Sequence, residues 1–167
     1  AKSSSQSFAT PRSWTFVSEI LSVDSFDSAG AFEQKAEIAG AIGEGMAIKF
    51  VEHRKIASKL PNPDQILNGD VKTLDSKLSK EISAKYSLVV GLAYELNDIF
   101  KDNGIDDKFR KGLNNTVRFA YDNFEPEMVV FLFKTIMKDY QIRFNVRTDL
   151  DKDLHKTFSD RYTKYIA

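Results

Sequence analysis

Apolar residues recur along this chain at spacings of three and four and never alternate by two for long, so the predicted elements are helices throughout. Thr10-Pro11 opens the first: Thr10 can cap free amides, and Pro11 occupies a first-turn position where no N–H is needed. This helix runs to about Leu21, with Trp14, Val17 and Leu21 as its buried stripe and Phe16 and Ile20 widening it. A second spans Ala31 to Ile42 through Phe32, Ala36 and Ala39, and the glycines at 43 and 45 bend the chain into a third from Glu44 to about Ser58. Asn62-Pro63 caps a short turn through Ile66 and Leu67 that Asn68-Gly69 closes.

The longest predicted helix begins near Ser79 and ends around Lys101. Its seam is Ile82, Tyr86, Val89, Ala93, Leu96 and Phe100, and a second stripe of Leu88, Leu92 and Ile99 makes it central. Asp106-Asp107 start the next helix, lined by Phe109, Leu113, Val117, Ala120 and Phe124. Glu125-Pro126 start another, with Val129, Phe133, Ile136, Met137 and Tyr140 facing inward. A last amphipathic helix, from about Asp149, carries Leu154, Phe158, Tyr162 and Tyr165. The expected fold class is therefore all-α, a helical bundle of about eight helices. Residues 10–69 form one helical subdomain, 70–78 a connection and 79–167 a further bundle. Residues 1–9, serine-rich and without period, read as a linker or strand end from a missing upstream segment, and the abrupt start without Met agrees with that.

Composition narrows the chemistry. The 167 residues balance 24 Lys+Arg against 24 Asp+Glu, and only residues 134–167, with 8 basic and 5 acidic side chains, lean positive. Nucleic acid gains no support as a partner from this total. Lys134, Lys138, Arg143, Arg147, Lys152, Lys156, Arg161 and Lys164 are interleaved with Phe144, Phe158, Tyr162 and Tyr165, the usual pattern of a solvated face over a core. The absence of cysteine removes thiolate metal sites and cysteine nucleophiles, and it fits a reducing, cytoplasmic setting. The longest apolar run, Met128 to Phe133, is far below the roughly 20 residues that span a bilayer. His53 and His155 stand apart, so no metal site is expected. Asp149, Asp151 and Asp153 alternate like a calcium loop, but Leu154 stands where such a loop needs glycine. Their better reading is as first-turn acids before a helix.

Arg12 is the candidate functional residue. A cation in the first turn of a helix meets the positive end of the macrodipole, an unfavourable placement that an anion would repair. Backbone amides and a forked guanidinium could there hold a phosphate together. The competing reading is a solvated arginine reaching Glu19 or a loop carbonyl.

Thr10-Pro11-Arg12-Ser13-Trp14 resembles the Ser/Thr-Pro-Arg start of the C-terminal helical lid in MoxR-like AAA+ ATPases of bacterial or phage type. Ile38-Ala39-Gly40-Ala41-Ile42-Gly43-Glu44-Gly45-Met46-Ala47, then Phe50, Leu60-Pro61-Asn62-Pro63 and Ile66-Leu67-Asn68-Gly69, is similar to a further pattern of that family in order and spacing. The resemblance covers roughly residues 9 to 69. It implies that Arg12 is the sensor-2 residue, reaching the γ-phosphate of ATP bound with Mg by an upstream α/β core, with Thr10 and Pro11 building the helix start at the site. It implies a lid that follows nucleotide state, in a chaperone-like motor that forms a homo-oligomeric ring and remodels a protein client. The segment by itself would be monomeric with little nucleotide affinity.

One requirement is missing. The stretch Gly40 to Ala47 has Gly, four residues, Gly, but Met46 and Ala47 stand where a phosphate loop needs Lys and Ser/Thr, and no acidic strand end follows for magnesium. This chain alone is therefore no ATPase, whatever its parent protein does. The alternative function is a stand-alone all-α interaction module without a nucleotide role, whose apolar seams bind a partner helix or self-associate.

Overall fold

The computed structural model describes residues 9–166 and is all-helical among them, with eight helices of six residues or longer. They are α1 (Pro11–Leu21), α2 (Ala31–Ile42), α3 (Glu44–Ala57), α4 (Pro63–Asn68), α5 (Ile82–Asn103), α6 (Asp107–Asn123), α7 (Pro126–Lys134) and α9 (Lys152–Arg161); α8 (Val146–Asp149) and α10 (Thr163–Ile166) are single turns. No helix among the described residues is long and apolar enough to cross a membrane. The reading of residues 1–9 as a linker or strand end falls almost wholly outside the described residues.

The chain divides into two compact units, and the division falls between Ser58 and Lys59. This corrects the boundary expected between residues 69 and 79. Helix α4 is too short to bury Ile66 and Leu67 by itself, and it packs on α5 and α6 of the second unit. Asn115 of α6 fastens it by donating from Nδ2 to the Leu67 carbonyl at 2.8 Å.

In the first unit α1, α2 and α3 enclose Val17, Phe26, Ile38, Ile42 and Ala47, with Trp14 and Phe50 packed at the edge. Gly43 joins α2 to α3 alone, with φ 85° and ψ 153°, a conformation open to glycine and costly for other residues. The loop after α1 is held from α2, where Gln34 Nε2 donates to the carbonyls of Phe26 and Ala29. Two sequence expectations are corrected here. Phe16 and Phe32 lie on the outer face, Phe32 with 82% of its surface exposed, and Ala36 shares that face. The buried stripe of α2 is Ile38 and Ile42, one register position over, because its neighbours α1 and α3 cover only that side.

In the second unit α5 is central, packed by α4, α6 and α7. Its buried face is Ala84, Leu88, Val89, Leu92, Ala93 and Leu96, so Val89, Ala93 and Leu96 of the expected seam and Leu88 and Leu92 of the second stripe are buried together, while Ile82 and Tyr86 at the start of the expected seam are exposed. Lys85 is buried on the same helix and pairs with Glu125 Oε1 at the start of α7, 2.5 Å away. The segment before α5 is strapped to α6 by Asn123, which accepts the Leu74 N–H at 2.7 Å and donates to the Lys72 carbonyl at 2.9 Å. Helix α7 runs on into a π-turn over Thr135–Asp139, and the expected last helix begins at Lys152, later than Asp149.

Candidate functional site

The start of α1 is built from local hydrogen bonds. Thr10, extended at φ −116° and ψ 162°, accepts the Ser13 N–H on its hydroxyl at 3.2 Å, and Ser13 Oγ accepts the Thr10 N–H at 2.7 Å. This reciprocal cap satisfies two donors and fixes the entry of the chain into the helix. Pro11 brings no N–H and the Ser13 N–H is spent on Thr10, so the donors left at this end are the backbone N–H and guanidinium of Arg12. That is fewer free amides than a helix start usually offers to an anion.

Arg12 is exposed, and no acidic residue stands in the first turn. No hydrogen bond or ion pair of Arg12, including one to Glu19, is present among the described residues. One turn inward, Trp14 meets Phe50 of α3 edge-on, with ring centroids 5.3 Å apart. This contact anchors α1 by its buried side and leaves the opposite side, with Arg12, to solvent.

The glycine stretch is a helix corner. Gly40 lies in α2, Gly43 is the joint and Gly45 lies in α3, with open space where a side chain would stand at Gly40 and Gly45. The amides of α2 are committed to its own carbonyls, and at the first turn of α3 Met46 and Ala47 bring neither the lysine nor the hydroxyl that a phosphate loop uses.

A second polar site lies in the second unit, where sequence reasoning saw only first-turn acids. Arg110, Lys111, Asn114, Asn115, Asp149 and Asp151 border an open groove of about 330 Å³. Its polar groups answer one another. Asn114 donates to the Asp149 carbonyl at 2.9 Å and accepts the Asp151 N–H at 2.6 Å, and Arg118 binds Asp151 and Asp153. Asp153 is held below the usual carboxylate range by its bond to Arg118, and Arg110 is held above its ordinary value by Asp149. Among the described residues no three His, Cys, Asp or Glu side chains are grouped to hold a metal ion. Spacing could not reveal this cluster, because its halves come from helices more than 30 residues apart in the chain. His155 Nε2 lies 3.3 Å from Ser159 Oγ one turn along α9, and His53 is half-buried on α3.

Comparison with protein-family models, with curated proteins and with solved structures finds no match to this chain.

Proposed function

We propose that this chain is the lid region of an ATP-dependent, MoxR-like AAA+ remodelling ATPase and contributes Arg12 to nucleotide bound by an upstream α/β core. The observation that carries the reading is a solvent-facing guanidinium at the second position of a capped helix, with no acid in that turn and no partner among the described residues. Such a cation has little reason to sit at the positive end of a helix unless an anion arrives from elsewhere. The resemblance over residues 9 to 69 names that anion as the γ-phosphate of ATP with its Mg, and the same contact would make lid angle depend on nucleotide state. The chain supplies one charged arm and its rigid mount. The phosphate loop and the magnesium ligands belong to the core, whose ring partners and client follow from the same reading.

The test uses the longer protein. The reading frame upstream of Ala1 should encode Gly-x4-Gly-Lys-Ser/Thr, and Arg12→Ala in that protein should cut ATP turnover by about one to several powers of ten while leaving the melting temperature unchanged. Unchanged turnover rejects the role, and a start codon immediately before Ala1 removes the core altogether.

A second reading, an interaction module without nucleotide, is favoured by a separate observation: the four large apolar side chains of α5 that face solvent.

A further inference from the structure

The two units differ in what holds each of them together. The first closes its core on Val17, Phe26, Ile38, Ile42 and Ala47, and its described part, residues 9–58, belongs to no other compact unit. At ~50 residues it lies near the lower limit at which a hydrophobic core suffices without disulfide or metal. Its ion pairs, Lys35 with Glu44 and Arg54 with Asp27, stand exposed and add little. The second unit, residues 59–167, fully encloses Leu92, Leu96, Phe109, Leu113, Phe133 and Ile136. Asn114, Asn115 and Asn123 of α6 each donate there to a carbonyl more than 30 residues away in the chain, ties that the first unit lacks at such range.

The chain between them is built to interrupt cooperativity. Ser58 ends α3 by donating its N–H to the Arg54 carbonyl at 2.8 Å, and the next backbone bond runs from Gln65 N–H to the Asn62 carbonyl at 3.0 Å. Lys59, Leu60 and Pro61 make no hydrogen bond among the described residues. Pro61 and Pro63 turn the residues before them away from helical backbone, and Asn62 is extended at φ −64° and ψ 129°. Helical order propagates through consecutive backbone bonds, so it stops at this joint. Ser58 and Lys59 are exposed.

We infer that the first unit is a separate and less stable cooperative body, which unfolds while residues 59–167 stay native, and that Lys59–Pro61 is the joint at which a protease parts the two. The inference does not depend on the nucleotide reading. Under that reading it makes the mount of Arg12 an order–disorder element, because an anion held there draws the unit towards its folded form.

Trp14, the one tryptophan of the chain, reports the first unit alone, whereas far-ultraviolet circular dichroism reports both. On heating the full chain, Trp14 fluorescence should change about 10 °C or more below the later of two dichroism transitions. Trypsin applied between the two midpoints should digest the first unit and leave a fragment that begins at Leu60, with α4 retained in it. Gly40→Ala should raise the fluorescence midpoint by about 3–5 °C and leave the later transition in place. Ile136→Val should lower only the later one, by a similar amount. A single transition shared by both probes, a Trp14 transition at or above the later one, no fragment beginning at Leu60, or either substitution moving both midpoints overturns the proposal.

Discussion

Arg110 on α6 and Asp149 at the end of α8, 39 residues apart in the chain, meet through Nε and Oδ1 at 3.0 Å, while Asp149 Oδ2 accepts the Asn145 N–H at 2.6 Å. The carboxylate is buried and both its oxygens are used. Arg110, Asn114 and Arg118, spaced by four along one face of α6, thereby clamp the connection that leads into α9.

Asp149→Ala should lower stability by about 2 kcal/mol, because it removes the carboxylate that accepts the Asn145 N–H as well as the ion pair to Arg110. Arg118→Ala, at an exposed pair, should cost less than about 1 kcal/mol. Urea denaturation followed by circular dichroism separates the two. Equal effects would contradict the difference in burial.

The Lys85–Glu125 pair predicts an acid limb. The Lys85 hydrogen bond holds the Glu125 carboxyl below its ordinary range. A carboxylate depressed in the folded state adds stability above its unfolded pKa and loses it as pH falls through the folded value. Melting temperature should therefore fall as pH drops from about 5 towards 3, and Glu125→Gln should flatten that fall while lowering stability at pH 7. Adding Lys85→Met to Glu125→Gln should recover stability, since the unpaired buried charge is then gone. A double variant weaker than Glu125→Gln alone would contradict the pairing.

Two glycines should respond in opposite directions. Gly40 has open space around it within α2, so Gly40→Ala should stabilise the first unit by about 0.5–1 kcal/mol, read by the fluorescence of Trp14 in the same unit. Gly69 ends α4 at φ 86° with Asn115 Nδ2 only 3.1 Å from where a Cβ would stand. Gly69→Ala should destabilise the second unit by about 1–2 kcal/mol.

Much of the helical layout was legible because caps and breakers act locally. Thr10-Pro11, Asn62-Pro63, Asp106 and Glu125-Pro126 start helices at the residues where they stand, and Gly43 and Gly69 end them. Faces were less legible. Phe32 and Tyr86 fit an inward stripe by period, yet period fixes only which residues share a side, not which side a neighbour will cover. Arg12 was legible as an anomaly in its own turn, and its exposure agrees with either a solvated or a phosphate-binding role.

The amino-acid order by itself determined the all-α character, the starts and stops of the helices and the capped mount of Arg12, since each depends on contacts within about one helical turn. Tertiary structure decided the division after Ser58, the inner face of α5 and the meeting of Arg110 with Asp149. These rest on long-range packing, whose energy depends on which surfaces meet and is invisible to any local window.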